Sequence, residues 1–411
     1  MRIYNYMDLE NEIKKYERIA IFGAGEYGRN WAYDILSCAS GDKGIYCYYD
    51  NRVAPGTIIN GKVEVHDIQE LYTHHEGMLL FLAVGLKIQK QLIAQMRDHS
   101  ITNVILVDEI FLTDICSSME KADSSVVSKY HCVMNNEEFF KKVYRENIGS
   151  ELDLSDPQTF NEKINWLKLH DYNPLYTELV DKYSVKKYVA DIIGEQYVIP
   201  TLGIYKHWDD IDFDRLPEQF VMKCTHDSGS TYVVMDKNMR NQESRREWFE
   251  QKLSINPYYL CREWPYKNVA PRIIIEQKLP QKDGEAINDY KFFCYNGKVK
   301  YLYVATNREK GHHKMRFDFF DCDFNHIPVE HTLYPNADIT PQKPELFQEM
   351  VSLVTKLAEG LIFVRIDMYC TDDNVYFGEY TFYPGGGREG YPDMLGDDIE
   401  INLLFNGGRF N

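Results

Sequence analysis

The sequence predicts a mixed chain, an α/β unit followed by an α+β unit, and two observations carry that reading. Near the start, a short apolar strand, Arg18 to Phe22, runs straight into Gly23-Ala24-Gly25-Glu26-Tyr27-Gly28 and a helical stretch. Strand and helix patterns then alternate to about residue 110. Near the end, two alternating runs, Leu361 to Tyr369 and Val375 to Tyr383, flank a short polar turn, the pattern of an antiparallel hairpin. The 411 residues leave room for two or three domains at ~100–200 residues each. With 44% hydrophobic and 14% aromatic residues the chain has the material for a large core. A formal net charge of −17 argues against a nucleic-acid surface, which needs a basic stripe, while leaving room for a local basic pocket. The nine cysteines are odd in number and form no Cys-x-x-Cys pair, so they read as free thiols of a reducing compartment. The first residues hold no apolar signal core, and no run approaches ~18 apolar residues. The expectation is a cytoplasmic protein without stable membrane insertion. Nothing in the sequence sets an oligomeric state.

In the first unit, the glycines Gly23, Gly25 and Gly28 follow the strand at once. A second strand, Ile45 to Tyr49, ends in Asp50. This is the dinucleotide fingerprint with its acid about 20 residues on. Glycines permit a tight turn and close backbone approach, and the helix N-terminus attracts phosphate. Read blandly, the same residues are a tight strand–helix turn that binds nothing. Strand and helix alternate again through Met78–Val84, Ile88–Met96 and Val104–Val107 and stop short of a second mononucleotide half. The region from about 110 to 150 is polar and partly helical, with a short helix expected at Asn135–Arg145.

The second unit opens with Thr159-Phe160-Asn161-Glu162, a capping box ahead of a helix burying Ile164, Trp166, Leu167 and Leu169. A helix is expected over Leu179–Val189. The strand Phe220-Val221-Met222-Lys223-Cys224 carries one lysine among apolar neighbours. A loop follows it, Thr225-His226-Asp227-Ser228-Gly229-Ser230-Thr231, and then a strand, Tyr232 to Met235. A strand lysine beside a Gly/Ser/Thr loop is a phosphate device, the lysine a point charge and the amides an anion nest. It is also what an ordinary hairpin with a solvent-facing lysine looks like. Arg272 to Pro280 reads as a buried strand ending in polar residues, Asn288 to Lys298 as a strand with an Asn296-Gly297 hairpin turn, and Pro344 to Glu359 as an amphipathic helix.

In the final hairpin, Asp372-Asp373-Asn374 supply turn chemistry. If those three form the loop, Asp367 lies opposite Glu379, and Arg365 opposite Thr381. Opposed Cβ atoms are ~4.5–5.5 Å apart, and like charges so placed repel. A divalent cation held by both acids offsets that repulsion, and Mg²⁺ prefers one or two carboxylates plus phosphate oxygens. A surface hairpin with scattered acids is the alternative.

These pieces, in this order, carry a resemblance. Residues about 155–411 resemble the ATP-grasp fold, and within it the teichuronopeptide-biosynthesis (TupA-like) family. The matching words are Thr159–Lys163, Asp181-Lys182, Phe220–Lys223, Ile274-Ile275-Glu276, Asp289–Phe292, Val364–Asp367 and Gly378–Phe382. The resemblance implies ATP and Mg²⁺ as cofactors. It implies that Lys223 and Lys182 contact phosphates, and that the loop with His226, Ser228, Gly229 and Ser230 closes over the triphosphate. The stretch Glu276, Gln277, Lys278 and Leu279 then holds the adenine, and Asp289 and Lys291 face the ribose and phosphates. Asp367 and Glu379 take the metal, and Arg365 steadies an acyl phosphate and its tetrahedral successor. One position departs from the pattern: Thr381 stands where many such enzymes carry Asn as a metal ligand. The N-terminal unit resembles the Rossmann/flavodoxin-like sugar-nucleotide-binding module of certain bacterial sugar acyltransferases. The implied division is 1–112 as that module, 113–154 as a helical linker and 155–411 as the ATP-grasp catalytic domain, with its lid at about 195–275.

The activity implied is an ATP-dependent carboxylate–amine ligase. It would join a small-molecule amine to a sugar carboxylate in surface polysaccharide biosynthesis. Two other classes compete. A sugar-nucleotide-dependent glycosyltransferase would rest on Asp321-Cys322-Asp323, and a nicotinamide oxidoreductase on Gly23, Gly25, Gly28 and Asp50. Arg388, after three glycines, is a candidate for a substrate carboxylate. The pairs His74-His75 and His312-His313 lack spaced partners and read as surface residues.

Overall fold

The computed structural model of the chain describes residues 1–238, 242–280, 287–307 and 314–401; His312 and His313 lie outside them. The chain divides into two compact units, Met1–Phe139 and Phe140–Asn411. The stretch 113–154 is therefore no separate linker. Its first helices, Glu109–Glu120 and Ser124–Lys129, fold with the first unit, burying Phe111, Leu112, Ile115 and Met119. The helix Asn136–Ile148 straddles the division.

The first unit is a sheet of six strands: β1 (Arg18–Phe22), β2 (Cys47–Tyr49), β3 (Ile58–Ile59), β4 (Val63–His66), β5 (Met78–Leu82) and β6 (Val104–Leu106). Its order is β3-β4-β2-β1-β5-β6. All pairs are parallel except the short antiparallel edge of β3 on β4. Strands buried on both faces read as continuous apolar runs, and Met78–Leu82 is buried at every position. The strand order reverses between β1 and β5, and Gly23 sits there with a φ of +108°. A Cβ on Gly23 would lie 2.4 Å from the Ala83 carbonyl oxygen, so only glycine fits between the two strand ends.

The second unit holds two antiparallel sheets. The smaller runs β7-β10-β8-β9, with β7 (Thr201–Tyr205), β8 (Phe220–Cys224), β9 (Tyr232–Val234) and β10 (Ile273–Gln277). One of its faces packs Phe220, Met222, Cys224, Ile273 and Ile275 against Trp208 and Phe249. The other face carries Val221, Lys223, Ile274 and Glu276, because strand side chains alternate. The larger sheet runs β14-β13-β12-β11-β15-β16. Its strands are β11 (Asp289–Tyr295), β12 (Lys298–Thr306), β13 (Arg316–Asp321), β14 (His326–Ile327), β15 (Phe363–Cys370) and β16 (Val375–Thr381). The amphipathic helix Phe347–Leu357 buries Phe347, Met350, Leu353, Val354 and Leu357.

The expected helix Leu179–Val189 is broken. Helices run Leu175–Val180 and Ser184–Ile193. At the break, the Asp181 carboxylate accepts from the Tyr183 amide (3.0 Å), the Ser184 hydroxyl (2.7 Å) and Arg272 Nη2 (2.5 Å). A short acid that binds nearby backbone in a non-helical conformation competes with the helix ladder.

Candidate active site

The acids of the last hairpin stand opposed: Asp367 pairs with Glu379 and Arg365 with Thr381. The route to that register differs from the expected three-residue loop. Cys370 pairs with Val375, so the loop is Thr371–Asn374, and the register then slips by one between Asp367 and Met368. Gly378 is the extra residue of this β-bulge. A Cβ there would sit 2.9 Å from the Asp367 carbonyl oxygen, closer than real contacts allow. One residue more in the loop and one more in the bulge restore the expected pairing.

Asp367 is 1% exposed and Arg365 8%. The guanidinium of Arg365 grips Asp367 at both oxygens (2.7 and 2.9 Å). Its Nη2 also reaches Glu379 (3.4 Å) and donates to the Thr381 hydroxyl (2.9 Å). Lys291, across from Asp367 on β11, contacts Asp367 and lies 2.8 Å from Asp289. The repulsion between the opposed acids is thus offset within the protein by Arg365 and Lys291. Burial raises the Asp367 carboxyl, but Arg365 and Lys291 outweigh it and hold it below the usual range. Burial likewise lowers Lys291, while Asp289 and Asp367 lift it further and leave it raised. Thr381 orients Arg365.

On the smaller sheet, Lys223 and Glu276 share the open face and form an ion pair of 2.6 Å. Glu276 is also paired at 2.5 Å with Lys186, from the helix Ser184–Ile193. Lys186 also donates to the Ile199 carbonyl (2.6 Å). Burial raises the Glu276 carboxyl, but the two ammonium groups bring it down to about 2. Burial lowers Lys223, yet Glu276, Tyr369 and Glu379 outweigh it, so Lys223 is raised. The field of Glu379 at Lys223 ties the smaller sheet's face to the acids of the larger. Lys186 was not among the residues expected from sequence; a helix lysine two residues into an amphipathic pattern carries no local sign of a partner 90 positions on.

Other expected residues fall elsewhere. Lys182 donates to the Asp227 carbonyl, and its amide to Thr225 O (3.0 Å), so it ties down the loop after β8. Ser230 is buried, takes the Cys224 amide (2.7 Å) and bonds Asp227 within the same loop. Ser228 and Gly229 lie at the loop's exposed tip. His226 is a correction: it is 1% exposed, and its Nε2 donates to the carbonyls of Ile255 (3.0 Å) and Lys252 (3.2 Å), pinning the chain after the helix Gln242–Leu253. Gln277, Lys278 and Leu279, with Leu202, Leu216 and Pro217, line a cavity of about 670 Å³. Leu216 packs in the core on one face of the sheet, and Gln277 is registered with Phe220 of that face.

In the first unit, Asp50 caps the glycine loop itself: Oδ2 accepts the Ala24 amide (2.7 Å), and Oδ1 those of Arg52 (2.6 Å) and Val53 (3.1 Å). Gly28 packs over the same loop, where a Cβ would meet the Gly23 carbonyl oxygen at 1.8 Å, while Gly25 is open on that side. Asp321 of the Asp-x-Asp triplet accepts the amides of Asp323 (2.9 Å) and Asn325 (2.8 Å) and the Asn325 side chain, which is turn chemistry.

Magnesium can be weighed against these donors. Asp367 and Glu379 are hard oxygen donors at directly opposed positions, with Asp289 beside them on Lys291. Among the described residues no group of three His, Cys, Asp or Glu side chains is placed to cage a metal. Two protein carboxylates with the rest supplied by phosphate and water is the coordination Mg²⁺ favours, so the residues fit it.

Two antiparallel sheets, one offering lysines and the other opposed acids, are the framework of an ATP-grasp enzyme. Residues 162–400 match the model of one such family, described as TupA-like ATPgrasp. That is more than half of the chain, and the chain belongs to the TupA-like ATP-grasp family. It is a carboxylate–amine ligase that uses ATP and Mg²⁺ to form amide bonds. Among solved structures it is similar to D-alanine–D-alanine ligase from Helicobacter pylori (15% identity, TM-score 0.34), over 57% of this chain and 60% of that one. It is similar to the same enzyme from Bacillus anthracis (12% identity, TM-score 0.34), over 95% and 98%. A third is N5-carboxyaminoimidazole ribonucleotide synthetase from Thermus thermophilus (10% identity, TM-score 0.30), over 89% and 71%. At these scores the structural likenesses carry no argument about the site. No curated protein matches the chain.

Proposed function

We propose that the ligase joins an amino compound to a sugar acid during biosynthesis of a bacterial capsule or other surface polysaccharide, through an acyl phosphate. The observation that carries the site assignment is the pairing of Asp367 with Glu379 under Arg365, in the field of Lys223. In this reading Asp367 and Glu379 hold Mg²⁺, which neutralises phosphate charge when bound. Lys223 and Lys186 exchange Glu276 for the phosphate oxygens of ATP. Arg365 steadies the acyl group as it gathers negative charge. No side-chain nucleophile is required; positioning and charge do the chemistry. The loop Thr225–Thr231 covers the phosphates and keeps water from the acyl phosphate. Hinge residues Glu276–Leu279 take the adenine, and Asp289 with Lys291 face the ribose and phosphates. The sugar class is supported by the first unit, whose glycine loop sits at the reversal of strand order, where doubly wound sheets bind ligands. There Gly25, open on that side, lets a sugar nucleotide approach the backbone, while Gly23 and Gly28 close the loop on itself and Asp50 holds it in shape.

The test is ADP release from ATP and Mg²⁺ with UDP-glucuronate and a panel of amines. The expected result is ADP that depends on both the acid and the amine, and that disappears in Asp367→Asn. No ADP with any pair, together with equal MgATP binding by wild type and Asp367→Asn, would overturn the proposal.

A further inference from the structure

The turn that follows the metal-site hairpin is unusual in its backbone and in how it is held. Gly385, Gly386 and Gly387 are all left-handed, with φ of +59°, +62° and +65°. Three such residues in a row are open to glycine at little steric penalty, and they cost conformational entropy to fix. The turn closes on itself through Gly386 N–H to Tyr383 O (2.8 Å) and Arg388 N–H to Gly385 O (3.1 Å). One face of the helix Phe160–His170 anchors it further. Asn161 Nδ2 donates to Glu389 O (2.6 Å), Asn165 Nδ2 to Gly387 O (2.7 Å) and Lys168 Nζ to Gly386 O (2.7 Å). Positions 161, 165 and 168 are spaced four and three apart, so they stack along one face. All three side chains are buried, at 5%, 2% and 6% exposure. The fit is close: a Cβ on Gly387 would meet Asn165 Nδ2 at 2.7 Å.

Burying three polar side chains on a helix is unfavourable unless each is bonded; here Asn165 and Lys168 bond carbonyls of this turn, Asn161 bonds the Glu389 carbonyl just beyond it, and Asn165 also donates to Asn161 O (2.9 Å). The turn also adjoins the acids. Tyr391, just beyond it, has its hydroxyl 3.5 Å from that of Tyr303, and Tyr303 is registered across from Lys291, which touches Asp367. Glu389 and Tyr391 both lie in the field of Arg365. Around Lys168 itself stand Glu263, Cys261 and Arg388, with the Phe140 ring 3.9 Å from its Nζ.

We propose that Asn161, Asn165 and Lys168 are positioning residues for the ligase reaction. Asn165 and Lys168 hold the Gly385–Gly387 turn by its carbonyls and Asn161 holds the Glu389 carbonyl just beyond it, so that Tyr391 is kept beside Tyr303 at the edge of the Lys291–Asp367–Arg365 cluster, where the reacting acyl oxygen gathers negative charge. This rests on the function proposed above for its chemical meaning, while the anchoring is measurable without it.

The experiment is hydrogen–deuterium exchange of the full chain, followed in peptides covering 383–391. The variants are Asn165→Asp, which keeps the shape and removes the donor, Lys168→Met and Lys168→Arg; Asn161→Ala stands in should Asn165→Asp not fold. Exchange of 383–391 is expected to rise at least about tenfold in Asn165→Asp and Lys168→Met and to return toward wild type in Lys168→Arg. Binding of a fluorescent MgATP analogue should stay within about twofold of wild type. With ATP, UDP-glucuronate and hydroxylamine as trap, kcat for ADP release should drop by about 10²-fold at unchanged KM for ATP. Wild-type protection of 383–391 in both donor-loss variants overturns the proposal, as does a wild-type kcat in a variant whose turn has loosened. If the wild type releases no ADP, the proposed function fails, and the exchange data alone decide the anchoring.

Discussion

Lys186 and Lys182 are four positions apart and end up with different partners. Lys186 shares the buried Glu276 with Lys223, both lysines half-buried, whereas Lys182 is spent on the Asp227 carbonyl. Two lysines on one carboxylate leave a net positive charge on the face that looks toward the acids, which suits phosphate. Substituting Lys186→Met should weaken MgATP binding at least about tenfold, the worth of one charge-assisted contact. Lys182→Met should leave it within about threefold while speeding proteolysis of the loop. Titration calorimetry on both variants checks this, and equal losses would contradict it. At this scale, residues that alternate along one strand were legible: Arg365 and Asp367 declare a shared face through their spacing alone. Lys186 was not, because nothing within ten residues marks its target. His226 misled for the complementary reason, since a histidine in a Gly/Ser loop looks available until the packing of Ile255 O and Lys252 O against it is known.

Among elements, the last hairpin shows how a register can be right while its parts are not. The loop is longer than expected, and the bulge at Gly378 takes up the difference. A glycine inside a strand is the local sign of a bulge. Gly378→Ala would force a Cβ to 2.9 Å from the Asp367 carbonyl and is expected to destabilise by about 1–3 kcal/mol, as overpacking does. The acids should also lose their opposition, so the substitution should weaken Mg²⁺-dependent nucleotide binding more than binding in EDTA. Urea unfolding and nucleotide titration with and without Mg²⁺ measure the two effects. A variant that is less stable but keeps its Mg²⁺ dependence would show that the bulge does not set the site. The broken helix at Asp181 was hidden similarly. The apolar spacing is continuous, but the Asp181 carboxylate finds Tyr183 N–H, Ser184 and Arg272, and a long-range arginine is not visible in a local window.

Over the whole molecule, acid stability follows from groups held away from their ordinary titration. Burial pulls His331 down from 6.5 to about 4, so the fold keeps it neutral. As pH falls from 6.5 toward 4, the unfolded chain takes up a proton that the folded chain refuses, and stability is lost. Glu276 falls from 4.5 to about 2 under its two lysines. Its contribution is present above 4.5 and is lost as pH falls toward 2, a matter of a few kcal/mol. Glu263 and Glu389, raised by burial, act in the opposite sense. The clean readout is therefore a difference. Replacing His331 by Gln should flatten the pH dependence of urea stability between 6.5 and 4, and a slope equal to wild type would contradict the assignment. The switch from strand–helix alternation to antiparallel hairpins was visible in the sequence. The boundary was not, because the helices between 109 and 148 carry similar patterns and only their packing assigns them.

The central claim is that Asp367 and Glu379 jointly hold the metal of a bound nucleotide. Electron paramagnetic resonance of Mn²⁺ with ADP tests it most directly, by counting bound Mn²⁺ in wild type, Glu379→Gln and Asp367→Asn. The account predicts nucleotide-dependent Mn²⁺ binding in wild type, weakened at least about tenfold in either variant, since a divalent ion that takes only two protein carboxylates loses half of them. Mn²⁺ binding of equal strength in all three proteins would contradict it.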